Sequence, residues 1–126
     1  MRFLVVDDSI TVRRILANAL QEIGCEEVRE ATDGKQALEM CQDIDVLITA
    51  WNMPVMSGLD LVRQIRANPA TAKIRIILAT SRNSRDDVQQ AAEAGVDGYI
   101  LKPFAQDSLR AKLDEVLNPD RPASAA

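Results

Sequence analysis

The side chains of this sequence that are suited to chemistry are carboxylates, hydroxyls and one lysine. Asp7 and Asp8 follow a short apolar run, and Thr80 and Lys102 each follow another such run. Adjacent carboxylates repel each other and are commonly neutralised by a hard divalent cation such as Mg²⁺, which binds few protein oxygens and keeps its waters. A hydroxyl and an ammonium group suit the oxygens of a phosphoryl group. These residue types therefore indicate Mg²⁺ and phosphoryl chemistry.

Several other kinds of chemistry are excluded by composition. The chain contains no histidine, which removes the Ser-His-Asp triad, most zinc sites and a phosphohistidine. Its two cysteines, Cys25 and Cys41, do not form a CxxC motif, so we expect both to be inert thiols.

The overall charge and hydropathy indicate an ordinary cytoplasmic domain. The net charge is −4 and the basic residues are scattered, which argues against a nucleic-acid partner. No apolar run approaches the roughly 20 residues that a membrane helix needs, and the start of the chain lacks a signal-peptide profile. A length of 126 residues fits one domain, and neither a repeat nor a second domain is indicated.

Short apolar runs alternate with stretches of helical period along the chain. Five strands, each followed by a helix, predict an α/β domain whose parallel sheet is covered on both faces. The predicted strands are 3–6, 27–30, 45–49, 74–79 and 98–101.

Turn and cap residues mark the predicted ends of the helices. Gly24 and Gly95 are expected to be left-handed C-terminal caps, and Ser84 with Asp87 resembles a capping box. Asp33-Gly34 predicts a turn before a short helix over 35–41.

The residues suited to chemistry fall at the carboxyl ends of the predicted strands, where open α/β sheets bind ligands. These ends are Asp7-Asp8, Thr49-Ala50, Thr80-Ser81 and Lys102-Pro103.

Four motifs in this order resemble the receiver domains of response regulators, and among these the single-domain chemotaxis regulators. The resemblance covers nearly the whole chain. It implies a flavodoxin-like (βα)5 doubly wound parallel sheet with strand order 2-1-3-4-5, a receiver domain over 1–118 and a disordered tail over 119–126. The motifs are Val5-Val6-Asp7-Asp8-Ser9, Trp51-Asn52-Met53-Pro54 with Gly58, Ala79-Thr80-Ser81 and Lys102-Pro103-Phe104.

The resemblance also implies roles for individual residues. Asp7, Asp8 and the backbone carbonyl of Asn52 would bind Mg²⁺. Thr80 would turn toward the phosphoryl group and Lys102 would pair with its oxygens. The implied partners are a sensor histidine kinase and a downstream target protein. No output domain is predicted, which favours a monomer.

Two further features follow from the resemblance. Tyr99 would swing inward when the threonine of strand four moves, and the Lys102-Pro103 peptide bond would be cis.

Ala50 departs from the family pattern, which has a phosphoacceptor aspartate four residues before Pro54. A methyl group has no nucleophilic oxygen, and the loss of a carboxylate should weaken Mg²⁺ binding. We therefore expect a non-enzyme that cannot accept a phosphoryl group. Ala50 is either an engineered Asp→Ala replacement, which the retention of every other site residue favours, or a feature of a natural receiver that acts without phosphorylation.

Simpler interpretations exist for each of these residues. Taken singly, the acidic pair fits a helix N-terminus, Thr80 and Lys102 fit loop residues, Tyr99 fits a strand aromatic and Trp51 fits a cover for the core edge. A flavodoxin-like cofactor binder is disfavoured because the acidic loop after strand one would repel a phosphate. The combination of motifs favours the functional roles of the acidic pair, Thr80 and Lys102.

Overall fold

The computed structural model describes residues 1–25 and 27–118. Five parallel strands form one sheet in the order β2-β1-β3-β4-β5, which confirms the predicted (βα)5 architecture and strand order. The tail predicted over 119–126 lies outside the described residues. The strands are β1 (Arg2–Val6), β2 (Glu27–Ala31), β3 (Val46–Ala50), β4 (Arg75–Thr80) and β5 (Gly98–Leu101).

Helices cover both faces of the sheet. A 3₁₀ turn, Cys41–Asp43, follows the second helix. No helix within the described ranges is both long and apolar enough to cross a bilayer. The helices are α1 (Ile10–Ile23), α2 (Gly34–Met40), α3 (Gly58–Ala67), α4 (Arg85–Ala94) and α5 (Gln106–Leu117).

The alternation of side chains along the strands divides the core into two clusters. In β1, Val5 packs with the apolar faces of α1 and α5, whereas Leu4 and Val6 pack with α2, α3 and α4. All five residues of β3 are buried, as expected for a central parallel strand. Burial of a Val, Leu or Ile side chain contributes roughly 1.5–3 kcal/mol, so the two clusters hold the sheet edge in place.

The predicted glycine caps are confirmed, but the start of α2 is different. Gly24 and Gly95 end α1 and α4 with φ values of 112° and 107°. The predicted turn lies at Thr32 and Asp33, one residue earlier than expected. Asp33 is the N-cap of α2, and its carboxylate accepts the Gln36 N–H. The helix therefore begins at Gly34, and it ends at Met40 where the chain tightens into the 3₁₀ turn.

Arg66 of α3 stabilises the edge of the domain opposite the carboxyl ends of the strands. Its guanidinium donates to the carbonyl oxygens of Ala72, Ile74 and Gly95 at 2.7, 2.6 and 2.9 Å, and it pairs with Asp97 at 2.7 Å. A cation suits the carbonyl end of α4. The same side chain thus fixes the end of α4 and the connection that leads into β4.

Gly58 allows α3 to start directly against the end of β3. Its N–H donates to the Trp51 carbonyl at 2.7 Å, and a Cβ at this position would lie 2.0 Å from the Ala50 carbonyl oxygen. Only glycine fits this approach.

Val55 is the strained residue in the loop between β3 and α3. It has a φ of 70° and a fully exposed side chain. A left-handed conformation costs an L-residue roughly 1–2 kcal/mol, and a β-branched residue adopts it least readily. Because the side chain packs against nothing, no burial offsets this cost.

We expect Val55→Asn to raise the thermal unfolding midpoint, since asparagine tolerates the left-handed region. A gain of about 1 kcal/mol corresponds to about 4 °C in a domain of this size. Differential scanning calorimetry would measure it. Val55→Ala, which removes the branch but keeps a Cβ, should recover only part of the gain, and an unchanged midpoint in both variants would contradict the strain.

Candidate functional site

The structure brings the predicted site residues together at the carboxyl edge of the sheet. The register pairs Ala50 with Ala79 and Thr80 with Leu101, the residue before Lys102. Asp7, Ala50 and Thr80 are all buried there, whereas Asp8 is exposed. The Lys102-Pro103 bond is cis, as predicted.

Asp7 is hydrogen-bonded through its carboxylate and through its backbone. One carboxylate oxygen accepts the Ser9 N–H at 2.9 Å, and the other accepts Lys102 Nζ at 2.8 Å. The Asp7 carbonyl accepts Arg13 Nη1 at 2.8 Å. Ser9, and neither aspartate, caps α1, so the acidic pair is not explained as a helix N-cap.

Arg13 is a site residue that the sequence patterns did not single out. Its side chain is 9% exposed, and besides the Asp7 carbonyl it pairs with Glu30 at 3.0 Å. Position 13 lies three and seven residues before Leu16 and Leu20, on the buried stripe of α1. A lone arginine on an apolar stripe was the signal that would have identified it, because such a charge needs partners.

Ala50 ends β3 with a buried methyl group. Its carbonyl oxygen accepts a hydrogen bond from the Thr49 hydroxyl at 3.0 Å. The same carbonyl lies close to the Cα of Gly58. The side chain supplies no oxygen at the place where the neighbouring strands present Asp7, Thr80 and Lys102. No nucleophile therefore projects from the end of β3.

The oxygen donors at this edge fit Mg²⁺ in type. Mg²⁺ is usually held by one or two carboxylates and retains several waters, and Asp7, Asp8 and the Asn52 carbonyl are hard oxygen donors. Within residues 1–25 and 27–118 there is no group of three or more acidic, histidine or cysteine side chains placed to hold a metal ion. The protein donors near this edge are hard oxygens, the type that Mg²⁺ prefers.

The backbone of Arg82 connects Thr80 to Tyr99. The Arg82 N–H donates to the Thr80 hydroxyl oxygen at 3.2 Å, and the Tyr99 hydroxyl donates to the Arg82 carbonyl. Tyr99 itself is half-buried. The two residues predicted to act as a switch are therefore joined through one intervening residue.

The side chain of Arg82 spans the cleft beside Ala50. It donates to the Asn52 side chain at 3.1 Å, lies 4.8 Å above the Trp51 ring and pairs with Asp87 at 3.4 Å. Trp51 is buried in the core, so its interpretation as a core cover is confirmed. A cation over indole is favourable by roughly 0.5–1 kcal/mol at exposed sites. Arg82 therefore joins the loops that follow β3 and β4.

Both cysteines are free, and burial raises their pKa values above the ordinary range. A raised pKa keeps the thiol protonated and unreactive at neutral pH. This agrees with the expectation of inert thiols.

Comparison with known proteins gives a consistent result over nearly the whole chain. The family model described as the response regulator receiver domain matches residues 3–114. The chain is 42% identical over 118 residues to the chemotaxis protein CheY-3 of Vibrio cholerae, covering 92% of this chain and 91% of that protein. It is 48% identical over 120 residues to CheY1 of Helicobacter pylori, covering 93% and 97%.

Solved structures give the same result. The chemotaxis response regulator CheY4 of Vibrio cholerae superposes with a TM-score of 0.85 at 35% identity, covering 91% of this chain and 97% of that one. The receiver domain of a sensor histidine kinase from Pseudomonas aeruginosa superposes with a TM-score of 0.83 at 25% identity, covering 92% and 96%. That structure contains a magnesium ion coordinated in its active-site cleft.

Tyr99 titrates in an environment set by its neighbours in the site. Burial raises the pKa of Tyr99 above its usual value, the Asp87 carboxylate raises it further, and the Arg82 guanidinium lowers it. Because the pKa of Tyr99 is raised in the folded state, the protonated tyrosine contributes to the free energy of unfolding below about pH 10. This contribution is lost as the pH rises through the folded-state pKa.

We expect Asp87→Asn to lower the pKa of Tyr99, because it removes a negative charge that opposes formation of tyrosinate. The chain has one tyrosine, so absorbance at the tyrosinate band reports this group alone. Asp86→Asn removes a neighbouring charge from the same helix turn and should leave the titration of Tyr99 unchanged. Equal shifts in both variants would indicate a general charge effect and would contradict a specific influence of Asp87 on Tyr99.

Proposed function

Because the chain belongs to the response regulator receiver domain family, we propose that it is a chemotaxis-type phosphorelay regulator that cannot accept a phosphoryl group. The observation that carries this proposal is Ala50 at the end of β3. The acidic pair, Thr80 and Lys102 surround this position at the same edge. The surroundings suit a phosphoryl group, but the nucleophile is missing.

The surroundings suggest what each group would do in a phosphorylatable form. Asp7, Asp8 and the Asn52 carbonyl would hold Mg²⁺, which would supply positive charge against the phosphoryl oxygens. Lys102 would pair with one of those oxygens, and the Thr80 hydroxyl would exchange its contact with the Arg82 N–H for another. We therefore assign these residues to positioning and charge stabilisation.

The connection from Thr80 through Arg82 to Tyr99 supports a switch that acts by population shift. Movement of Thr80 would release the Arg82 N–H, and the Arg82 carbonyl holds the Tyr99 hydroxyl. A phosphoryl group would then favour a pre-existing alternative conformation. Without a phosphoacceptor, this chain would stay mostly in the inactive population while it could still dock a histidine kinase or a target protein as a cytoplasmic monomer.

Two origins for Ala50 accord with this proposal. Retention of every other site residue favours an introduced Asp→Ala replacement in a working switch. The alternative is a natural receiver that acts as an interaction module without phosphorylation. This alternative is compatible with a site in which, among the described residues, every buried side-chain polar atom has a partner.

We expect Ala50→Asp to gain the mass of one phosphoryl group after incubation with acetyl phosphate and Mg²⁺, whereas the parent chain gains none. Intact-mass spectrometry of both proteins side by side measures this. Ala50→Asn is the matched control, because it has the same shape as the aspartate without a nucleophilic carboxylate. Absence of the mass gain in Ala50→Asp, or a gain in the parent, would contradict the proposed function.

We also expect Ala50→Asp to be less stable than the parent in the presence of a chelator. Two carboxylates about 5 Å apart repel by roughly 3 kcal/mol at an effective dielectric near 20, and Lys102 and solvent offset part of this. Urea unfolding in chelator measures the difference in the free energy of unfolding. Ala50→Asn separates charge from size, and an Ala50→Asp midpoint equal to that of the parent would exclude the repulsion.

A further inference from the structure

We propose that Arg13 is a positioning residue for the Mg²⁺ site, acting through the backbone of Asp7 to keep the Asp7 carboxylate in its binding orientation. This role rests on the Mg²⁺ site of the proposed function. Arg13 itself does not coordinate the metal, and its effect passes through the hydrogen bond to the Asp7 carbonyl. A residue of helix α1 thereby controls how tightly the end of β1 holds the cation.

Arg13 is buried at a position where helix α1 by itself favours an apolar side chain. Its side chain is 9% exposed, and it shares the buried stripe of α1 with Leu16 and Leu20. A charge in such a position is costly unless it is paired and hydrogen-bonded. The partners of the guanidinium therefore indicate what the charge does there.

Two N–H groups of the guanidinium contact different elements of the sheet. Nη1 donates to the Asp7 carbonyl oxygen at 2.8 Å, and Nε donates to Glu30 Oε1 at 3.0 Å. Glu30 lies on β2, and Asp7 follows β1. Because the guanidinium is planar and rigid, the contact with Glu30 fixes the direction of the donor that reaches Asp7. A lysine at position 13 would keep the charge but would lack this fork.

Asp7 is held on both sides of its Cα. Its N–H donates to the Ala31 carbonyl at 3.3 Å, and its carbonyl accepts Arg13. Because each peptide group is planar, holding one of its atoms limits rotation of the whole group, and holding both groups fixes the direction in which the side chain leaves the backbone. The Ser9 N–H then holds carboxylate Oδ1 at 2.9 Å. Loss of the Arg13 contact should therefore loosen the carboxylate as well as the backbone.

The positioning effect of Arg13 and its charge act on Mg²⁺ with opposite signs. Hydrogen bonds that orient metal ligands commonly change metal affinity by about 10- to 100-fold, so loss of the Asp7 contact should weaken binding. A nearby positive charge disfavours a divalent cation, so loss of the charge alone should strengthen binding. The direction of the change in affinity therefore distinguishes positioning from charge.

The test is isothermal titration of MgCl₂ into the parent and three variants. We expect Arg13→Met, which suits the apolar stripe, to bind Mg²⁺ about tenfold more weakly. Arg13→Lys keeps the charge without the fork and should show a smaller loss. Arg14→Met is the matched control, because it removes the same charge from a side chain that is 65% exposed and lies 3.5 Å from Glu30. It should bind no more weakly than the parent.

A second readout, amide hydrogen exchange without Mg²⁺, separates positioning from a general structural role. Arg13→Met should speed exchange of the Ser9 N–H, which donates to the Asp7 carboxylate. The Gly58 N–H at the same edge donates to the Trp51 carbonyl and should exchange as in the parent. Faster exchange at both amides alike would indicate general destabilisation, and it would count against positioning.

Mg²⁺ binding by Arg13→Met that equals or exceeds that of the parent would overturn the positioning role, as would an equal loss in Arg14→Met. If Ala50→Asp still binds Mg²⁺ and takes up a phosphoryl group in that case, the proposed function stands and only the role of Arg13 fails. If the parent and Ala50→Asp both fail to bind Mg²⁺, the metal site of the proposed function is wrong and the positioning role fails with it.

Discussion

The partly buried ion pair between Asp7 and Lys102 is the contact on which the arrangement of the carboxyl edge depends. It joins residues 95 positions apart, at the ends of β1 and β5, two strands that are separated in the sheet by β3 and β4. Removing one partner of a buried pair is far more costly than replacing both. The pair therefore links the carboxyl ends of β1 and β5. Ala50 and Thr80 lie at the ends of β3 and β4, the two strands between them.

Arginine side chains extend this constraint to the surrounding elements. Arg13 ties the Asp7 carbonyl to Glu30 at the edge of the sheet, while Arg82 ties the loop after β4 to Asn52 and Trp51. The planar guanidinium group makes several directed hydrogen bonds at once. The backbone of Arg82 also contacts both Thr80 and the half-buried Tyr99.

Local patterns predicted the strands, the helix caps and the acidic, hydroxyl and lysine residues of the site, because these depend on periodicity and on chain position at strand ends. They did not predict the roles of Arg13, Arg66 and Arg82. Each of these arginines contacts partners that only the tertiary fold brings near. Of the three, only Arg13 could be identified from the sequence, by its position on the apolar stripe of α1. The conformation of Val55 was also not predictable, since β-branched residues disfavour the left-handed region. The fold of the loop around it, including the close approach of Gly58 to Ala50, decides that conformation.

The charge at the carboxyl edge is balanced without any group from Ala50. Lys102 pairs with one carboxylate oxygen of Asp7, and the Ser9 N–H donates to the other. A methyl group at the end of β3 is compatible with the buried strand on which it lies. The contacts that order this edge, from Ser9 and Lys102 to Asp7, do not involve the side chain of Ala50.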